Sequence, residues 1–168
     1  MKNWIVIFGI GLLGFCISGC KIYSFDGTSI PVGSKTFYVE QFDVRTSSAI
    51  PTLGQTISQA LFDKIRNESN LNPVDTDPDI EFKGSVTEFR VTAESPERGE
   101  TTAFNRLNMT IAVEYINHQN EEDGWKTKFP YFSDFPSDQN LIDVQDQLIE
   151  EINLQLVDDV FRKAFTNW

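Results

Sequence analysis

Residue types that carry chemistry are scarce in this 168-residue chain. It has only two cysteines and one histidine, and 14 basic residues against 25 acidic ones. The single histidine, His118, lies in a polar stretch, so a serine or cysteine nucleophile has no well-placed base. Glycine-rich phosphate motifs are absent. The net charge of −11 argues against nucleic-acid binding, which depends on Lys and Arg. We therefore predict a protein that is not an enzyme and has no cofactor.

Acidic residues gather in two short stretches, which raises the question of a metal site. Carboxylate oxygens bind hard cations such as calcium, but neither stretch has the spacing of an EF-hand loop. We interpret both as solvated acidic loops and predict no metal site. Their residues are Asp75, Asp77, Asp79, Glu121, Glu122 and Asp123.

The N-terminus has the pattern of a bacterial lipoprotein leader. Lys2 precedes an apolar run over residues 4–15, which is shorter than the about 20 residues of a membrane-spanning helix. Residues 17–20, Ile-Ser-Gly-Cys, resemble a lipobox, in which an aliphatic and two small residues precede an invariant cysteine. The resemblance implies cleavage after Gly19 and a lipid anchor on Cys20. The alternative is a plain signal peptide with an accidental cysteine.

Three segments are expected along the chain. Residues 1–19 are the lipoprotein signal peptide, and residues 20–35, rich in Gly, Ser and Pro, form a lipidated tether. Residues 36–168 form a single domain with enough apolar residues for a real core. Once Cys20 is acylated, no cysteine remains for a disulfide or a metal site.

The first half of the domain reads as a strand, a helix and a second strand. Residues 36–44 are rich in aromatic and β-branched side chains, which indicates a strand. A helix follows from residue 52 to about residue 67, where Thr52 and Gln55 have the spacing of a capping box. The apolar alternation of residues 80–86 changes phase at residue 89, which predicts a β-bulge near Thr87 or Glu88.

The second half reads as two strands and a long helix. Residues 107–115 alternate cleanly, and residues 125–132 form a strand in which Pro130 indicates an edge position. The last helix has apolar residues every three or four positions, with Asn140 as its cap. The order β-α-β-β-β-α predicts an α+β two-layer sandwich with a four-stranded mixed sheet.

Six segments carry a resemblance to a known family, namely residues 19–27, 37–42, 51–53, 103–107, 148–151 and 163–168. Taken in this order, they resemble the LPS-assembly lipoprotein (LptE) family. The resemblance implies a four-stranded sheet with two helices on one face, and a place in the Gram-negative outer membrane, facing the periplasm and a barrel lumen. It also implies a 1:1 complex that plugs the β-barrel LptD and helps it deliver lipopolysaccharide to the outer leaflet.

Contact with lipopolysaccharide would call for Lys and Arg, which bind its phosphates. The candidates on or between adjacent predicted strands are Lys83, Arg90, Arg98 and Arg106. The alternative is that these are ordinary solvated residues. A second candidate for binding a partner is a group of aromatic residues in and after the last strand. Some of its members face the core, and the others are candidates for contact with the barrel. The group consists of Phe129, Tyr131, Phe132 and Phe135.

A second function stays open beside the first. The chain would then be an accessory lipoprotein of another envelope transporter, built on a similar sandwich. A lipoprotein enzyme is the weakest option, because the sequence offers no general base in a suitable position to activate a nucleophile.

Overall fold

The computed structural model describes residues 29–95 and 103–166, and shows an α+β fold with two α-helices and one mixed, open sheet. The predicted signal peptide, the anchor Cys20 and Arg98 lie outside the described residues. The strands are β1 (Thr36–Val39), β2 (Asp43–Val44), β3 (Asn72–Pro73), β4 (Ile80–Glu94), β5 (Phe104–Asn117) and β6 (Trp125–Pro136). The helices are α1 (Leu53–Glu68) and α2 (Leu141–Phe165).

The sheet has six strands, so the prediction of four is wrong. Its order is β3-β1-β4-β5-β6, and β2 pairs with β4 beside β1. The predicted first strand is split into β1 and β2 by residues 40–42, and both parts run parallel to β4. The short strand β3 lies in the polar stretch between α1 and β4, and adds two residues at the edge beside β1.

The break between β1 and β2 is built around Phe42, whose side chain is 2% exposed. Its amide donates to Ser58 Oγ at 2.7 Å, and that hydroxyl donates to the carbonyl of Gly54. A Cβ at Gly54 would collide with the Phe42 carbonyl, and a Cβ at Gly84 would collide with the Phe42 ring. The two glycines therefore let Phe42 sit between α1 and the sheet.

Strands β4, β5 and β6 form an antiparallel meander with a shift in register. Val86 pairs with Ile111 and Glu88 pairs with Thr110, so Thr87 is the extra residue. The predicted β-bulge is confirmed, and it keeps apolar residues on the same face of β4 on both sides of the shift. The buried residues that alternate along β5 are Leu107, Met109, Ile111, Val113, Tyr115 and Asn117.

The edge position of β6 is confirmed, because among the described residues β6 pairs only with β5. Pro130 lies in mid-strand opposite Thr110. A proline has no N–H to donate, so it fits a strand whose outer side is unpaired. The strand also continues four residues beyond its predicted end, to Pro136.

Both helices have the predicted extents, but neither predicted side-chain cap forms. Thr52 stands at the N-cap of α1 with helical dihedral angles and makes no side-chain cap hydrogen bond. The turn before it already occupies the first helical amide, since Leu53 N donates to Ile50 O at 3.1 Å. Asn140 stands at the N-cap of α2, also without a side-chain cap bond.

The core contains apolar residues of both helices and of the sheet. Phe165, at the end of α2, is fully buried and makes edge contacts with Phe82 and Tyr115 at centroid distances of 6.0 and 6.5 Å. Phe37 of β1 packs against Phe62 of α1 at 5.4 Å. Burial of such rings is the main stabilising contribution in a domain of this size.

Candidate functional site

The residues that alternate with the core residues of β4, β5 and β6 form a second face of the meander. We call this set the polar face, because most of its side chains carry charges, hydroxyls or amides. Cross-strand register brings its members side by side. Its principal residues are Lys83, Ser85, Glu88, Arg90, Thr92, Arg106, Asn108, Thr110, Ala112, Glu114, Lys126, Lys128, Phe132 and Asp134.

Three of the four predicted glycolipid-binding cations belong to the polar face. Lys83 and Arg90 lie on β4 and Arg106 lies on β5. Arg90 pairs with Asn108 and Arg106 pairs with Thr92, so the two arginines are diagonal neighbours. Lys83 is seven residues from Arg90 along the strand, or about 20 Å at the usual rise per residue. The structure therefore brings the two arginines together and leaves Lys83 apart.

Each of these three cations already has a carboxylate partner. Lys83 Nζ lies 3.1 Å from Glu81, and this contact raises the pKa of Lys83. Arg90 donates from Nε and Nη2 to one oxygen of Glu88, at 3.1 and 2.9 Å. The Arg90 bonds and a further bond from the Thr110 hydroxyl lower the pKa of Glu88. An anionic ligand would have to compete with these pairs.

Arg106 is the most constrained of the three. Its guanidinium makes two parallel bonds to Asp134 of β6, at 2.7 and 2.9 Å, and stacks over the Phe132 ring at 3.8 Å. The Phe104 ring lies farther away, with its centroid 5.8 Å from the guanidinium carbon. We call Phe104, Arg106, Phe132 and Asp134 the arginine–aromatic cluster. A planar guanidinium held by a carboxylate and a ring is a rigid, preorganised contact group.

A depression lies on the polar face at the other end of the meander. It encloses about 540 Å³, and its floor includes the small residues Ser85 and Ala112. Both cations and carboxylates line it, so it offers partners for groups of either sign. The charged residues that line it are Glu40, Asp43, Arg45, Lys83, Glu114, Lys126 and Lys128.

Sequence reasoning missed the second basic group at this depression. Lys126 and Lys128 lie two residues apart on β6, and Lys126 is paired with Glu114 at 3.0 Å. Lys128 has no ion-pair partner within the part of the chain that the structure describes. Because alternate residues of a strand share a face, the Lys-X-Lys spacing was the signal that could have revealed this pair.

The aromatic group of β6 divides as predicted between core and surface. Phe129 and Phe135 are buried at 8% and 4% exposure, whereas Tyr131 and Phe132 are 37% and 47% exposed. Tyr131 and Phe132 stack with centroids 6.1 Å apart. Exposed aromatic residues beside an arginine have the composition of protein interfaces.

Two of the other candidate residues, His118 and Asp79, have structural partners. His118 Nε2 lies 3.0 Å from Glu81 on the partly exposed surface. Asp79, from the first acidic stretch, accepts hydrogen bonds from Lys35, Thr36 and Gln119. No group of three or more metal-binding side chains occurs in residues 29–95 and 103–166. Neither helix in those ranges is long and apolar enough to cross a membrane.

Comparison with solved structures gives distant likenesses. The uncharacterized lipoprotein B from Nitrosomonas europaea is 14% identical, with 86% of this chain and 88% of that chain covered and a TM-score of 0.50. The hypothetical protein CT253 from Chlamydia trachomatis is 8% identical, with 78% and 98% covered and a TM-score of 0.50. The rare lipoprotein B from Shewanella oneidensis is 10% identical, with 77% and 90% covered and a TM-score of 0.49. At these identities the likeness concerns the fold alone.

Sequence comparison is more specific. No curated protein matches the chain. The family model described as LptE, lipopolysaccharide-assembly, matches residues 34–164, which is most of the chain and includes every strand and nearly all of both helices. The chain therefore belongs to the LptE family of lipopolysaccharide-assembly proteins.

Proposed function

We propose that this protein is an outer-membrane lipoprotein that plugs the LptD β-barrel and assists it in delivering lipopolysaccharide to the outer leaflet. The family match over residues 34–164 is the observation that carries the proposal. The absence of a placed nucleophile and base among the described residues fits a structural partner, and we propose no catalytic activity.

The proposed layout has three parts. The signal peptide covers residues 1–19, the lipidated tether residues 20–35 and the single domain residues 36–168. In that domain both helices pack on one face of the sheet in a two-layer arrangement. The alternation of buried and exposed residues in β5 and β6 supports this layout, because it leaves the polar face free for partners.

The barrel partnership is tested by affinity purification of the tagged full-length protein from detergent-solubilised outer membranes. A large β-barrel recovered in a 1:1 complex is the expected result. Recovery of an inner-membrane transporter instead would favour the second candidate, an accessory lipoprotein of another envelope transporter.

The lipid anchor is tested with two matched cysteine variants. Cys20→Ser removes the proposed acylation site, whereas Cys16→Ser changes a cysteine within the proposed signal peptide. We expect Cys20→Ser to remain uncleaved or to leave the membrane fraction, because a single weak anchor cannot replace several acyl chains. Cys16→Ser should be processed and anchored like the parent, and a Cys20→Ser product that is cleaved and membrane-bound like the parent would disprove the anchor.

Direct contact with lipopolysaccharide is a further part of the proposal. Arg90 and Arg106 are its central residues because they are diagonal neighbours, and Lys83 and Arg98 complete the set. Arg90→Ala with Arg106→Ala should weaken binding of purified lipopolysaccharide. Arg162→Ala on α2 is the control, since Arg162 is also ion-paired, with Asp158 and Asp159. Unchanged binding in the double variant would refute this contact.

A further inference from the structure

The distal half of β4 has a strand neighbour on only one side. On the other side, the last backbone bond is from Arg45 N to Val86 O, at 2.9 Å. Strand β4 continues to Glu94 and pairs with β5 throughout. We call residues 88–94 the open edge, since no strand within residues 29–95 and 103–166 pairs with its outer side.

The backbone groups at the open edge follow from the register. Phe82 and Val86 accept bonds from the β1–β2 side, so core-facing residues of β4 direct their polar groups away from β5. The bulge at Thr87 restores the same pairing with β5 beyond it. Phe89, Val91 and Ala93 therefore present N–H and C=O groups to the open edge, in the pattern that an added strand requires.

The open edge lacks the protection that the opposite edge of the sheet has. Natural sheets block edges with prolines, lysines or very short strands. Strand β6 carries Pro130 and Pro136 together with two lysines, and β3 is only two residues long. Residues 88–94 contain neither proline nor lysine, and the core-facing Val91 is 38% exposed. This edge is thus left free to pair.

We propose that the open edge binds an extended segment of a partner polypeptide in which apolar and basic residues alternate. The apolar residues would cover Val91. The basic residues would lie on the polar face beside Glu88 and Glu94. The open edge itself carries one cation, Arg90, and the neighbouring Arg106 is already paired with Asp134. This inference goes beyond the proposed function, since it does not require the partner to be the barrel.

Charge argues against a second copy of the chain as the occupant. Two copies would each carry a net charge of −11. An antiparallel pair centred on Val91 would also place Glu88 opposite Glu94 at both ends, and like charges directly opposite destabilise a strand pair. A basic segment would avoid both the repulsion between two negatively charged copies and the pairing of Glu88 with Glu94.

The test uses the full-length protein in detergent and a nine-residue peptide in which lysine and valine alternate. We expect binding, with exchange of the amides of Phe89, Val91 and Ala93 slowed by at least about tenfold. A peptide N-methylated at alternate amides should not bind, because it cannot donate to the edge. A peptide with glutamate in place of lysine should bind at least about tenfold more weakly.

Two variants at one position separate backbone pairing from side-chain contact. Val91→Pro removes an edge N–H that β5 does not use, so the fold should tolerate it while peptide binding is lost. Val91→Thr keeps the N–H and should bind the peptide. If Val91→Pro does not fold, the N-methylated peptide decides. Absent binding, equal binding of the N-methylated peptide, or edge protection that rises with protein concentration alone would overturn the proposal.

Discussion

A single carboxylate, Asp79, joins three segments at one end of the sheet. It accepts bonds from the amides of Lys35 and Thr36 at 2.8 and 3.0 Å, and from the Gln119 side chain at 2.7 Å. These bonds, with the Lys35 amide foremost, lower the pKa of Asp79 from 3.8 to about 2. An aspartate in a predicted acidic loop thus holds the segments around residues 35 and 119 together by hydrogen bonds.

The lowered pKa predicts how stability changes with pH. The Asp79 contribution is fully present above the unfolded pKa of 3.8 and is lost as the pH falls through about 2, because the native state prefers the ionised form. Asp79→Asn should be less stable than the parent at pH 7 and should lose less stability between pH 4 and pH 2. Urea unfolding across this range measures the effect, and the exposed Asp75→Asn is the control. Parallel curves for parent and Asp79→Asn would contradict it.

Phe42 and Gly84 depend on each other for space. Gly84→Ala should destabilise the domain by about 1–3 kcal/mol, because the new methyl group meets the buried Phe42 ring. Phe42→Leu removes ring atoms, so the double variant should cost less than the sum of the two single variants by at least about 0.5 kcal/mol. Chemical denaturation of the four proteins gives this coupling. Additive losses would show that the ring does not restrict position 84.

At the scale of elements, the bulge at Thr87 lets the two parts of β4, whose apolar residues alternate in different phases, bury the same face of the strand. Without the extra residue, β4 would have an uninterrupted alternation that still directs Val86 and Phe89 to the core. Deletion of Thr87 should therefore preserve the fold. Deletion of Ser85, two positions earlier, should instead move buried Val86 to the polar face and bring Thr87 into the core.

These two deletions form a matched pair. We expect the Ser85 deletion to be less stable than the Thr87 deletion by about 2 kcal/mol, the contribution of one buried valine. Thermal unfolding followed by circular dichroism measures the difference. Equal stability of both deletions would mean that the register shift does not set which face of β4 is buried.

At the scale of the whole molecule, one hydrophobic cluster includes residues of β1, β4, β5, β6 and both helices. A core shared in this way predicts a single cooperative unfolding transition. Trp125 of β6 reports on it directly, because its ring stacks on Tyr115 at 5.4 Å. In a variant with Trp4→Phe and Trp168→Phe, which leaves Trp125 as the single tryptophan, the fluorescence and the helical circular dichroism signal should have the same midpoint in urea. Separate midpoints would contradict a single domain.

Much of this architecture could be predicted from the sequence because periodicity encodes burial. The alternation in β5, the bulge in β4 and the stripe of α2 all follow from apolar spacing. The break between β1 and β2 at Phe42 could not be predicted, since it depends on two glycines, Gly54 and Gly84, that are distant from it in sequence. Strand β3 could not be predicted either, because two residues are too few to show an alternation.

The candidate site was predictable to a smaller extent. Residue type and position identified Lys83, Arg90 and Arg106 as candidates. That each of them has an ion-pair partner could not be predicted, since those pairs depend on side-chain geometry. The Arg106–Asp134 pair joins residues 28 positions apart in sequence. Such contacts require the register between β5 and β6, which apolar alternation alone leaves undetermined.

The backbone amide of Ser29 donates to the carbonyl of Phe165, so the entry to the domain lies beside the end of α2. Phe165 touches Phe82, and from there β4 extends twelve residues to Glu94, up to about 40 Å. If the proposed anchor holds the Ser29 end near the lipid, the far end of the β4–β5 hairpin would lie up to about 40 Å from that end. It could then bind partners beyond the headgroup layer, at a distance set by the length of the strands.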